Sequence, residues 1–241
     1  MIEHGLLVAG AVVPGTDLVR RHPDAGWDWA RHLDRPDLRK RPSGKDTTLL
    51  VGHWSGGPIR IGDDVAPLTV AAMRARKRPD GTLMDVSAHF VIGWDGQVWQ
   101  LADLALATVH VGGGLNPRSI GVETAWPGTA KQADSIVAAL TRRGKPVPEG
   151  YRQPRERRLV RRRPLVCLVC LKPSKALLSG WVRLAELLAA LPASTGIVIP
   201  RQLAKAPGWR GVCEHQHAPK ATKVDAAGYL VDALEAVGWG R

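Results

Sequence analysis

A hairpin signal near the middle of the chain constrains the fold most. Val86, Ala88, Phe90 and Ile92 alternate with Ser87, His89 and Val91, and Asp95-Gly96 then turns the chain into Gln97-Val98-Trp99-Gln100-Leu101. An Asp-Gly pair between two such runs predicts antiparallel strands joined by a tight turn. Two further runs have strand character. Residues 47–53 are β-prone and stop at Gly56-Gly57-Pro58, so their last side chains fall at a sheet edge, where sites are commonly built. Ser119-Ile120-Gly121-Val122-Glu123-Thr124 is the other, unusual in carrying a carboxylate amid apolar neighbours.

Helical spacing appears between and after these runs. Leu68, Val70, Ala71 and Met73 predict a helix over residues 66–76 that stops at Lys77-Arg78-Pro79-Asp80-Gly81. Residues 176–191 are mostly apolar, with Ser179, Arg183 and Glu186 as a narrow polar stripe, the pattern of a helix buried on most of its surface. A first buried strand is expected within residues 5–13, a short strand at 197–199 and a C-terminal helix over 226–237. Strands alternating with helices predict an α/β class. A length of 241 residues suits a single domain.

Charge is unevenly spread. The formal net charge is +12, which points to an anionic partner: nucleic acid, anionic lipid or an acidic cell-wall polymer. Between Arg142 and Arg163 lie ten basic residues against Glu149 and Glu156, and Pro146, Pro148 and Pro154 argue against one continuous helix there. Residues 128–175 are therefore expected to form a basic insertion, and residues 1–46 an irregular lead-in. An anionic wall polymer or membrane surface could dock on the insertion. Nucleic-acid binding is the weaker expectation, because aromatic interleaving and a reading motif are lacking. Three cysteines (Cys167, Cys170 and Cys213) make no disulfide framework and are expected as buried thiols. The apolar run at 5–13 lacks a basic leader, so the chain is expected to be cytoplasmic at synthesis, and monomeric.

The richest chemistry lies near the end. His215, His217, Lys223 and Asp225 fall within eleven residues, with Pro219 between them. Zinc favours imidazole and carboxylate ligands, and a catalytic zinc takes three protein ligands plus a water. This segment can supply two, and His53 in Val51-Gly52-His53-Trp54-Ser55 can supply a third from a strand edge. Glu123 is a candidate general base, since burial would raise its pKa toward neutrality. Lys223 could stabilise an oxyanion as charge develops on a carbonyl oxygen. Those parts together describe a metallohydrolase.

Five segments in this order resemble the zinc-dependent N-acetylmuramoyl-L-alanine amidases of the second amidase type. That family shares its fold with peptidoglycan recognition proteins and a branch of phage lysozymes. The segments are Val51 to Ser55, the hairpin from Ser87 to Leu101, Thr108-Val109-His110-Val111-Gly112, the acidic strand from Asn116 to Glu123, and His215 with Lys223 and Asp225. The resemblance implies a central mixed β-sheet flanked by helices. It implies zinc held by His53, His215 and Asp225, with Glu123 and Lys223 catalytic and Trp54, His110 and Asn116 lining the substrate groove. It implies hydrolysis of the amide between N-acetylmuramic acid and L-alanine in peptidoglycan or a muropeptide, as in an endolysin or prophage-type lytic enzyme. A non-catalytic peptidoglycan receptor is the alternative. Two departures stand out. His217 competes with His215 for one coordination position, and Val109 stands where the family usually has tryptophan.

Overall fold

The computed structural model describes residues 3–21, 39–41, 46–55, 88–147, 149–160, 166–204, 210–217 and 226–240. The helix expected over 66–76 lies outside them, as do Lys223 and Asp225.

The strands among the described residues are β1 (Glu3–His4), β2 (Leu6–Val8), β3 (Ala11–Val13), β4 (Val19–Arg21), β5 (Arg39–Lys40), β6 (Leu49–Trp54), β7 (Phe90–Ile92), β8 (Val98–Gln100), β9 (Leu106–Ala107), β10 (Ser119–Thr124), β11 (Arg155–Val160), β12 (Val166–Leu171) and β13 (Gly211–Glu214). Seven of them form one mixed sheet in the order β1-β4-β8-β7-β10-β6-β13. The predicted hairpin is its β7-β8 pair, antiparallel and closed by a turn in which Gly96 has φ +80°. Four neighbours, β7, β10, β6 and β13, run parallel.

Among the described residues three helices flank the sheet: α1 (Ala130–Arg142), α2 (Lys175–Ala189) and α3 (Tyr229–Glu235). Alternation along the strands decides which face they cover. Leu50, Trp54, Phe90, Ile92, Ile120, Val122 and Val212 point to the helical side, where Leu177, Trp181, Leu184 and Leu188 of α2 meet them in one buried core. Fully burying such a side chain stabilises the fold by roughly 1.5–3 kcal/mol. Ser174 starts α2 by accepting the Leu177 N–H (3.0 Å), and its hydroxyl donates to the Trp94 carbonyl (2.6 Å), tying the helix to the β7-β8 turn. The Trp181 indole donates to the Leu230 carbonyl (2.9 Å), so α2 and α3 are joined by a polar bond inside the core. Among the described residues no helix is long and apolar enough to cross a membrane.

Three expectations change. The lead-in is not wholly irregular: β1 and β4 extend the central sheet, and residues 5–13 fold as the β2-β3 hairpin rather than one strand. The basic stretch holds regular structure that packs on the core. Thr129 and Gln132 make a reciprocal capping box that starts α1, β11 and β12 form a hairpin, and Cys170, Leu171 and Tyr151 enter the core. α1 ends before the prolines, at Gly144 (φ +60°), where the Lys145 N–H donates back to the Leu140 carbonyl (2.9 Å). At 197–199 only an isolated bridge from Ile197 to Thr47 appears.

The packing of α2 on the hairpin turn is testable. Alanine at Gly180 would gain about 1 kcal/mol of helix propensity. Its Cβ would, however, sit 2.5 Å from the Gly96 carbonyl oxygen, a backbone atom that cannot rotate aside. Overpacking costs of about 1–3 kcal/mol should win. Urea unfolding of Gly180→Ala is expected to show a net loss of stability, and an unchanged or raised midpoint would contradict this contact.

Candidate active site

The opposite face of the same strands is polar at its carboxyl end. In parallel register Ser119 pairs with Leu49, Gly121 with Val51 and Glu123 with His53, while Cys213 pairs with Val51 from the other side. Paired residues of neighbouring strands share a face. Leu49, Val51 and Cys213 therefore form a small apolar floor with Val111 and Ala204. His53 and Glu123 stand level with each other just beyond it. Crevices outside the carboxyl ends of parallel strands are the usual place for a site in such sheets.

β13 ends at Glu214, and the chain then turns through a short 3-10 segment, His215–His217. This turn swings the His215 ring over His53: their Nδ1 atoms lie 3.1 Å apart, with ring planes inclined at 76°. Both side chains are buried. His217 does something different, its Nδ1 accepting the Glu214 backbone N–H (3.3 Å). Of the two competing histidines, His215 is the one brought to His53.

His53 is held from behind. Its Nε2 lies 3.1 Å from His110 Nδ1, and His110 Nε2 lies 3.0 Å from Ser119 Oγ. One proton arrangement leaves the His53 Nδ1 lone pair facing His215: His53 Nε2–H donates to His110, and His110 Nε2–H donates to Ser119. Supporting hydrogen bonds on the far nitrogen fix the tautomer and aim of a ligating imidazole in this way. The His110 ring lies directly over Gly121, where a Cβ would come within 2.5 Å of its Cγ. Asn116 shapes the loop above, its Oδ1 accepting the backbone N–H of His110, Val111 and Gly112 (3.3, 3.1 and 3.1 Å).

Below this lies His89, fully buried. Its Nδ1 accepts the Gly121 N–H (3.0 Å) and the Thr108 hydroxyl (3.1 Å), so its proton sits on Nε2 and is donated to the Leu106 carbonyl (2.9 Å). Arg41 crosses the same space and donates to the carbonyls of Leu104, Pro117 and Ser119. Burial, reinforced by the Arg41 charge, holds the His89 pKa well below the ordinary histidine value.

The groove residues expected from sequence have other surroundings. Trp54 points to the helical face and packs edge-on against Trp126 inside the core. His110 is buried under His53, and Asn116 is engaged with backbone. Cys213 is buried in the floor, and burial pushes its thiol pKa up, away from thiolate chemistry. Among the described residues no group of three His, Cys, Asp or Glu side chains could hold a metal. The third ligand expected from sequence, Asp225, lies outside them, as does Lys223.

The comparisons with known proteins follow the same outline. Residues 43–162 match the family described as N-acetylmuramoyl-L-alanine amidase. The chain carries a domain of this amidase family. The fold is shared with Apis mellifera PGRP-SA (12% identity, 86% of this chain and 92% of that one, TM-score 0.51). It is shared with a Drosophila PGRP-LB point mutant in complex with tracheal cytotoxin (13%, 92% and 96%, TM-score 0.51). Human PGRP-IBETAC, in complex with glycosamyl muramyl pentapeptide, has it too (12%, 95% and 99%, TM-score 0.50). No curated protein sequence gives a match. His53, His110 and Glu123 lie within the matched amidase stretch; His215 lies beyond it and is delivered by β13.

Glu214 has no counterpart among the sequence expectations. It is fully buried and accepts four N–H donors. The available signal was a carboxylate closing an apolar strand immediately before His215. Ser119 and Arg41 were likewise invisible, because their partners are up to 78 residues away.

The buried neutral His89 gives the amidase domain an acid sensitivity. Below about pH 6.5 the unfolded chain takes up a proton that folded His89 resists, so its stabilisation is present above that value and is lost as pH falls. Histidine-ring NMR of the folded protein in chelator is expected to show His89 still neutral at pH 5.5, where a free imidazole is mostly protonated. A His89 ring protonated at pH 5.5 in the folded protein would contradict this; global stability does not isolate it, because burial raises the Glu214 pKa to about 7 and acts in the opposite sense over the same window.

Proposed function

We propose that the chain is a zinc-dependent amidase that hydrolyses the amide between N-acetylmuramic acid and L-alanine in peptidoglycan or a muropeptide. The observation that carries this reading is the 3.1 Å approach of His53 Nδ1 to His215 Nδ1, with Glu123 level with His53 on the adjacent strand. Two imidazole nitrogens on one tetrahedral zinc at 2.0–2.1 Å stand about 3.3 Å apart. The donor pair therefore fits a zinc ion, and Asp225 would be the third ligand. A zinc ion there would lower the pKa of a water and polarise the scissile carbonyl.

The chain's own residues do the remaining work. His110 and Ser119 keep the proton of His53 on Nε2, so that its Nδ1 would present a lone pair to the ion. Glu123 accepts the proton of the attacking water and passes it to the departing amine of L-alanine. Lys223 supplies positive charge to the oxyanion as it forms. A lytic role, as in an endolysin, suits the basic surface, where Arg142, Arg143, Lys145, Arg152 and Arg157 are exposed and would attract an anionic wall polymer.

Peptidoglycan binding without catalysis is the second reading, supported by the likeness to recognition proteins in complex with muramyl ligands. A pure receptor, however, has no use for Glu123 and Lys223. Digestion of muropeptides separates the two. The wild-type protein with zinc should release free L-alanine amino termini, chelator should abolish this, and Glu123→Ala should lower the rate by about 10²–10⁴-fold while still binding zinc. Activity that survives both treatments would overturn the zinc mechanism, and binding with no turnover would favour the receptor.

A further inference from the structure

Glu214 joins the turn carrying His215 to the start of α3. Its Oε1 accepts the backbone N–H of Leu230 (2.8 Å) and Val231 (3.2 Å). Its Oε2 accepts the backbone N–H of Gly228 (2.6 Å) and the Gln216 side-chain amide (2.7 Å). All four partners are N–H donors, so the group is satisfied as a carboxylate, and a protonated acid or an amide would leave a donor facing a donor. The three backbone donors belong to the first turn of α3, whose N-cap Gly228 has φ +87° and no side chain to offer. Glu214 thus caps α3 from 14 to 17 residues away.

The position of these donors matters more than their number. Gln216 lies in the turn that presents His215 to His53. The backbone donors begin at Gly228, three residues after Asp225 in the sequence, and Ala226 and Ala227 between them are buried. One buried carboxylate therefore grips the turn carrying His215 and the segment that immediately follows Asp225.

We propose that Glu214 is a positioning residue for the metal centre, anchoring the turn that presents His215 to His53 on the start of α3 without touching the ion. This rests on the zinc amidase reading. Supporting partners of ligand-bearing groups are typically worth about 10–100-fold in metal affinity. A merely structural Glu214 would lower the unfolding midpoint and leave the zinc affinity of folded protein unchanged.

The test is zinc affinity by chelator competition, at a temperature where circular dichroism shows the metal-free wild type and variants to be folded. Glu214→Gln is expected to weaken zinc binding at least tenfold and to speed zinc loss. If that variant does not fold, Gln216→Leu removes one of the four donors and is expected to weaken binding about threefold. A folded Glu214→Gln that binds zinc as tightly as wild type, or a Gln216→Leu with unchanged affinity where only it folds, overturns the positioning role and leaves the amidase reading standing. A wild-type chain that binds no stoichiometric zinc overturns both.

Discussion

Everything at the candidate site depends on the register in which β6 lies between β10 and β13. Parallel pairing on both sides sets Glu123 level with His53 and ends β13 immediately before the turn that carries His215. A slip of one residue would send His53 into the helical core and bring Gly52 to the site face. Gly52 also reports how tightly the register is held. A Cβ there would lie 2.4 Å from a Leu230 methyl and 3.2 Å from Trp181. The apolar face therefore admits no larger side chain at that position, and the polar face inherits its alignment from that packing.

The two faces of the sheet are built on opposite principles. The helical side is apolar and close-packed, with Trp181, Leu184 and Leu188 fully buried. The site side buries His53, His89, His110, Thr108 and Ser119, groups that would cost about 1–3 kcal/mol each if left unpaired. They persist because each bonds the next: Ser119 to His110, His110 to His53, His89 to Gly121, and Arg41 to the carbonyls around them. Such linked bonds restrain their members, although Arg41 Nη2 also lies 3.0 Å from His89 Nε2, a donor beside a donor in this tautomer. Rigidity of the supporting layer is what a water-activating site needs, since misplacing a base or ligand by about 1 Å can cost about 10²-fold in rate.

Much of this was legible in the sequence where the signal is local. The hairpin at 86–101, the strand ending at Trp54, the acidic strand at 119–124 and the buried helix starting near 175 all carry their periodicity within a few residues. The likeness to amidases added the order of these segments. What escaped notice depends on contacts across the chain. Trp54 looks like a groove residue beside His53, yet alternation along β6 sends it to the opposite face. His110 resembles a groove histidine until Gly121 and Ser119 are seen beneath it. Glu214 looks like an ordinary charged residue because the donors that satisfy it lie 14 to 17 residues further on. The helix α1 was hidden by the charge and proline content of its surroundings, although Thr129 and Gln132 spell its capping box.

The central claim is that His53 and His215, and not His217, bind one zinc ion. Metal analysis of purified wild type, His53→Ala, His215→Ala and His217→Ala, each reconstituted with zinc and desalted, tests it directly. The expected result is one zinc per chain in wild type and His217→Ala, and a loss of stoichiometric zinc in the other two. Zinc retained by a folded His215→Ala but lost from His217→Ala would contradict the account.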